Sequence, residues 1–118
     1  MRLLATALLA MLPALPVPAS EARVTGVEPR PDGDGWRFDV TVAHTDTGWD
    51  HYADAWQVLA PDGTVLGTRE LLHPHAEEQP FTRSLGGVAV PPELTHVAVR
   101  ARDSVHGWGT PIEVVLPR

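Results

Sequence analysis

The sequence contains neither cysteine nor lysine among its 118 residues. Without cysteine the chain cannot form a disulfide or a thiolate metal site, so a conventional hydrophobic core has to stabilise it. All nine positive charges are arginines, which are scattered along the chain, and fifteen acidic residues give a net charge of −6. This balance argues against nucleic acid or an anionic membrane surface as a partner.

The first 22 residues have the pattern of a secretory signal peptide. A positively charged start precedes an apolar run over residues 3–12, a proline-containing stretch, and small residues that fit cleavage after Ala19 or Ala22. The run is too short to span a bilayer, and no later run is long enough. An N-terminal core helix is the alternative. We expect an exported protein, periplasmic or extracellular, whose residues 23–118 form one domain.

The pattern after the signal favours strands over helices. Helical periodicity is nearly absent, and the chain contains twelve prolines and ten glycines. Alternating apolar and polar residues recur instead at the spacing typical of a β-sandwich, with a bulge or break expected at Gly86 and Gly87. The seven predicted strands are 22–28, 36–42, 53–60, 64–71, 81–90, 95–102 and 112–116.

Seven short strands in one small domain predict an all-β, immunoglobulin-like antiparallel sandwich. The stretch LTHVAVRARDSVHGWG, residues 94–109, also resembles the sixth strand and following loop of fibronectin type III domains. The matching positions are Val97, Val99, Ala101, Gly107 and Gly109. The tyrosine that this family carries near the start of the strand is absent, because Thr95 and His96 stand there. The resemblance implies this fold and a binding or spacer role.

In sandwich order, three predicted loops meet at one end of the domain: 44–52, 72–80 and 103–110. They hold five of the six histidines, several acids and two tryptophans. His96 falls at the opposite end and is predicted to be a surface residue. The residues predicted to form a binding surface are His44, Asp46, Trp49, Asp50, His51, His73, His75, Glu77, His106 and Trp108.

Two functions fit such a surface. The first is recognition of a protein, peptide or glycan partner, because sandwich loops often carry binding residues. The second is a divalent transition-metal site for zinc or copper, because neutral imidazoles bind these ions. The predicted metal ligands are His73, His75, His51 and His106. A structural accessory that only spaces or stabilises a partner is the third interpretation. In that case these side chains would hydrogen-bond to loop backbone.

Catalysis is not expected. Asp103, Ser104 and His106 are the residue types of a hydrolase triad, but they lie in one short loop without a nucleophile elbow. The three acids at positions 46, 50 and 54 lack the alternate-residue spacing of a calcium loop. Phosphate-binding glycine motifs are absent from the sequence. We therefore expect a monomeric, non-enzymatic protein that needs no cofactor unless the histidines bind zinc or copper.

Overall fold

The computed structural model describes residues 21–118, and this part of the chain is all β. The predicted signal peptide lies outside the described residues except for Glu21 and Ala22. Across residues 21–118, no helix has the length and apolar character that crossing a membrane requires. The strands are β1 (Arg23–Asp32), β2 (Gly35–Ala43), β3 (Ala53–Leu59), β4 (Val65–Glu70), β5 (Phe81–Val88), β6 (His96–Asp103), β7 (Gly107–Trp108) and β8 (Ile112–Val115).

The first of two antiparallel sheets has three strands in the order β1-β2-β5. Its central strand alternates as predicted, because successive side chains of a strand point to opposite faces. The buried face of β2 carries Trp36, Phe38, Val40 and Val42. In β5 the pairing with β2 skips Gly86 and Gly87, which confirms the predicted irregularity at these two glycines.

The second sheet has five strands in the order β4-β3-β6-β7, and β8 also pairs with β6. Its central strands β3 and β6 contribute the most deeply buried side chains of this sheet: Trp56, Val58, Val97, Val99 and Ala101. These side chains form one hydrophobic cluster with those of β2. The two sheets therefore enclose a shared core, as an all-β sandwich requires.

The strand β7 lies within the segment 103–110 that the sequence pattern predicts as a loop. It folds back onto the end of β6, where Trp108 pairs with Arg102 and Gly107 with Asp103. Gly107 has a φ of 86°, a conformation that glycine adopts without steric cost and that lets the chain reverse here. Residues 21–118 therefore contain eight strand segments where seven were predicted.

The strand register brings the predicted loops together at one end of the two sheets. Ala53, which opens β3, pairs with Asp103, which closes β6. Phe81, which opens β5, pairs with Val42 near the end of β2. The connections that follow β2, precede β5 and follow β6 consequently share this end, and the candidate site lies among them.

Candidate functional site

The site is centred on His44, the first residue after β2. Its imidazole ring is fully buried, and both ring nitrogens face carboxylates. Nδ1 lies 2.6 Å from Oδ1 of Asp46, and Nε2 lies 2.5 Å from Oδ2 of Asp103. Ionised carboxylate oxygens only accept hydrogen bonds, so His44 donates from both nitrogens and is in its charged imidazolium form.

Asp103, the last residue of β6, uses its two carboxylate oxygens for different purposes. Oδ1 accepts the backbone N–H groups of Val105 at 2.6 Å and His106 at 2.8 Å. Oδ2 lies 2.6 Å from Nε2 of His51, in addition to its contact with His44. Oδ1 therefore fixes the turn after β6, while Oδ2 brings two imidazoles to one point.

Asp46 holds His44 from the other side, and its own side chain is fully buried. Its Oδ1 also accepts the N–H of Ala53 at 3.1 Å, and its Oδ2 accepts the N–H of His75 at 2.7 Å. Gln79 adds a second link, because its Oε1 accepts the N–H of His44 and its amide donates to the carbonyl of His75, each at 3.0 Å. These bonds fix the His44 ring and fasten the first two loops to each other.

The charges of this cluster stabilise one another. Burial lowers the pKa of His44, but hydrogen bonds to Asp46 and Asp103 and their negative charges outweigh it, so the net shift is upward. Burial would raise the pKa of Asp103, yet two backbone N–H groups and the imidazoles of His51 and His44 lower it to about 2. Asp103 is therefore ionised at any physiological pH.

Three side chains of this cluster could together hold a metal ion. His44, His51 and Asp103 each place one ligand atom within 4.8 Å of the others. Two imidazole nitrogens and a carboxylate oxygen are donors that zinc and neighbouring divalent metals accept. Asp46 contacts the other nitrogen of His44, in the position that the carboxylate partner of a metal-bound histidine takes. Within the described range 21–118, no other group of three such residues lies this close together.

The stretch His73-Pro74-His75 does not join this group. His75 is buried and stacks on the ring of Phe81 at 3.9 Å, and its Nε2 accepts a hydrogen bond from Arg83 at 2.9 Å. That bond leaves the imidazole proton on Nδ1, so neither nitrogen has a free lone pair for a metal. Burial and the charge of Arg83 lower the pKa of His75, which keeps the ring neutral. His73 is exposed, and its Nδ1 contacts the carbonyl of Pro74.

Of the four metal ligands predicted from the sequence, His51 alone belongs to the three-residue group. His106 lies beside the group. Its side chain is half exposed, its Nδ1 is 3.3 Å from Oδ1 of Asp103, and its ring centroid is 5.1 Å from that of His51. The structure thus places His106 next to the candidate ligands. His75 is linked to the cluster through its backbone, but its ring contacts Phe81 and Arg83 instead.

The remaining predicted surface residues are not among the three candidate ligands. The ring of Trp108 contacts the guanidinium groups of Arg100, at 4.4 Å, and Arg102, at 5.2 Å, on the face of β6 that points away from the core. The other three are exposed loop residues: Trp49, Asp50 and Glu77. His96 lies at the far end of β6, where it pairs with Glu113.

Asp103 belongs to the candidate site but is absent from the binding residues predicted from the sequence. The sequence nevertheless indicates that Asp103 is buried. Alternate residues of β6 face the core at Val97, Val99 and Ala101, and the next position in this alternation is 103. The alternation of β2 likewise continues to His44. A charged residue at the end of a buried strand face needs a buried partner, and here His44 and Asp103 are each other's partner.

Over 78 residues the chain is 50% identical to a protein of Halomicrobium mukohataei named "Putative lipoprotein", a match that covers 66% of this chain and 38% of that protein. The chain therefore spans well under half the length of this relative. No family model matches the chain, and no solved structure matches it.

Proposed function

We propose that this protein binds a divalent transition-metal ion, zinc first among them, through Nε2 of His44, Nε2 of His51 and Oδ2 of Asp103, and that Nε2 of His44 releases its proton when the ion binds. The observation that carries the proposal is the convergence of two imidazoles on one buried carboxylate oxygen, at 2.5 and 2.6 Å. Asp46 supports the same interpretation from behind His44, because such a carboxylate fixes the ring and raises its basicity toward a metal.

The ligand atoms need only small movements to hold an ion. Bonds of about 2.0–2.1 Å to a tetrahedral zinc ion separate neighbouring ligand atoms by roughly 3.3 Å. The two N–O distances of the cluster would therefore widen by less than about 1 Å. His51 can supply the movement for its own distance to Asp103, because it lies in a loop and a quarter of its side chain is exposed. The distance between Nε2 of His44 and Oδ2 of Asp103 also has to widen, so one of these two buried side chains must shift by less than about 1 Å.

The proposal is for binding without catalysis. The hydroxyl oxygen of Ser104 accepts the backbone N–H of Tyr52 at 3.0 Å, which assigns this hydroxyl a structural contact between two loops. Oδ1 of Asp103 is occupied by the backbone of its own turn. These contacts favour a structural interpretation of the Asp-Ser-His segment over a hydrolase triad.

An immunoglobulin-like fold and export belong to the same proposal. The first, second and fifth strands share one sheet, and the third, sixth and last share the other, as in immunoglobulin-like domains. In this interpretation β7 and β8 are two parts of one final strand beside β6. The signal-like N-terminal segment and the name of the Halomicrobium relative support export.

Calorimetric titration of the metal-stripped protein with zinc, copper and nickel at neutral pH tests the metal site. We expect one site of sub-micromolar affinity for zinc, and we expect His51→Ala to weaken it by about a hundredfold or more. His73→Ala is the matched control, because this histidine is exposed and lies outside the cluster. The proposal is wrong if wild type binds none of the three ions, if His51→Ala binds as wild type does, or if both substitutions weaken binding equally.

Recognition of a protein, peptide or glycan is a second candidate function. It is favoured by three exposed apolar side chains, one on each loop at this end of the domain: Trp49, Leu72 and Val105. Peptide and glycan arrays probed with the wild type and with a Trp49→Ala/Leu72→Ala double variant test it. Specific binding that the double variant loses would support this function, and an array without specific binding would oppose it.

A further inference from the structure

The candidate metal site lacks one ligand. His44, His51 and Asp103 supply three donor atoms, whereas a tetrahedral zinc ion takes four. In a structural zinc site the protein supplies all four ligands, and in a catalytic site one position stays open to water or a substrate. The role of the ion therefore depends on whether a further side chain can reach it.

Three of the other histidines in residues 21–118 have partners away from the candidate ligands. The rings of His73 and His75 lie against each other, with their centroids 4.6 Å apart, on the loop that precedes β5. His96 pairs with Glu113 at the far end of β6. His106 is the histidine that remains beside the site.

The ring of His106 contacts two of the three candidate ligands. Its Nδ1 lies 3.3 Å from Oδ1 of Asp103, and its centroid lies 5.1 Å from that of His51. The contact with Oδ1 is long for a hydrogen bond, and the side chain is half exposed, so the ring is free to turn. Because Oδ1 and Oδ2 belong to one carboxylate, a change of side-chain rotamer can bring a ring nitrogen toward an ion at Oδ2.

The backbone on both sides of this side chain is already held next to Asp103. Oδ1 of Asp103 accepts the N–H of His106 at 2.8 Å, and Gly107 pairs with Asp103 at the start of β7. Only the side chain of His106 therefore has to move when an ion binds. A ligand whose backbone is in place before binding loses less conformational entropy than one on a free loop.

The charges of the site favour a neutral fourth ligand. Once His44 has released its proton, the carboxylates of Asp103 and Asp46 balance the two positive charges of Zn²⁺. Both carboxylates are fully buried, and a third negative group would leave an excess charge where burial makes it costly. A neutral imidazole adds a donor atom without adding charge.

We propose that His106 is the fourth ligand and that the bound ion forms a closed, structural site. One nitrogen of its neutral ring would complete a tetrahedral set of three imidazoles and one carboxylate. The ion would then fasten the loop 44–52 to the turn after β6 and would have no position open to a ligand from solution. This inference rests on the proposed metal site at His44, His51 and Asp103.

The test uses the full mature protein loaded with cobalt(II), whose visible absorption bands report the number and type of its ligands. We expect strong bands of a tetrahedral ion, which added imidazole does not change. In His106→Ala the bands should weaken, cobalt affinity should fall about tenfold or more, and imidazole should restore the wild-type bands by filling the vacated position. His73→Ala is the matched control, because it removes an exposed histidine outside the group, and it should behave as the wild type does.

The outcomes separate this inference from the proposed function beneath it. If the wild type does not bind cobalt, the metal site itself is wrong, and the inference falls with it. If cobalt binds but imidazole changes the wild-type bands, the metal site stands and its fourth position is open, so His106 is not a ligand. This titration needs no substitution and decides the question even if a variant is unstable. Wild-type bands and affinity in His106→Ala, or an equal loss in His73→Ala, would also overturn the inference.

Discussion

Nε2 of His44 and Oδ2 of Asp103 lie 2.5 Å apart, although 59 residues separate the two in the sequence. His44 directly follows β2 in the first sheet, and Asp103 is the last residue of β6 in the second. Both continue the buried face of their strand, so a core that is apolar along the strands ends in an ion pair. The contact ties the two sheets together at the end where the three loops meet.

Removing the Asp103 carboxylate should strongly destabilise the metal-free protein. In Asp103→Ala, His44 and His51 lose their shared acceptor, so we expect the free energy of unfolding to fall by about 3–5 kcal/mol, the usual cost of breaking a buried pair. Urea denaturation followed by tryptophan fluorescence measures the change. Asp50→Ala removes an exposed acid from a neighbouring loop and should cost less than about 0.5 kcal/mol. Equal losses in the two variants would contradict the prediction.

Asp46 should support the metal through His44 without binding it. Asp46→Asn keeps the size of the side chain and one acceptor oxygen but removes the charge behind the imidazole, so we expect zinc affinity to fall about 10–100-fold while the stoichiometry stays at one. Calorimetric titration gives both quantities. Asp54→Asn is the control, because Asp54 pairs with Arg102 on the outer face of the second sheet. Wild-type zinc affinity in Asp46→Asn would show that this carboxylate does not support the site.

Much of the fold follows from the alternation of apolar and polar residues in the sequence. In β2 and β6 every second residue is apolar, and a strand with one face on a core needs this pattern, so the buried faces predicted for these two strands are confirmed. The meeting of the three loops then follows from antiparallel pairing alone. The two-residue strand β7 carries no such period, and its pairing depends on the reversal at Gly107, which a glycine in a polar segment does not specify.

The candidate ligand group is harder to predict, because the spacing of histidines in the sequence does not show the direction in which a ring nitrogen points. His75 lies in one of the converging loops, yet its ring packs on Phe81 and its Nε2 bonds to Arg83, a residue of β5. His44 lies at the end of a buried face and meets Asp103 instead. The alternation of β2 and β6 does indicate this contact, because the buried face of β2 continues to His44, directly after the strand, and that of β6 continues to its last residue, Asp103.

The mature protein should begin at Ser20. Cleavage after Ala22 would remove Ala22, which is fully buried in the core, and Glu21, whose Oε2 accepts the N–H of Thr110 at 3.0 Å. Cleavage after Ala19 keeps both residues and their contacts. Intact-mass measurement of the exported protein, with N-terminal sequencing, distinguishes the two positions. A mature chain that starts at Arg23 would contradict the prediction.

His75 should make stability depend on pH in the mildly acidic range. Burial and the nearby Arg83 lower its pKa below the ordinary value of 6.5, so as the pH falls the unfolded chain takes up a proton before the folded protein does. The contribution of His75 to stability is therefore complete above about pH 6.5 and is lost as the pH falls toward the folded-state pKa.

The variant His75→Phe isolates this effect. It keeps an aromatic ring against Phe81 and removes the titrating group, while its other cost, the acceptor that Arg83 loses, is the same at every pH. Urea denaturation at several pH values between about 7.5 and 5 should show that the wild type loses more stability than the variant as the pH falls. Parallel curves for the two proteins would mean that His75 takes up its proton equally in the folded and unfolded states, and the interpretation of its contacts with Phe81 and Arg83 would be wrong.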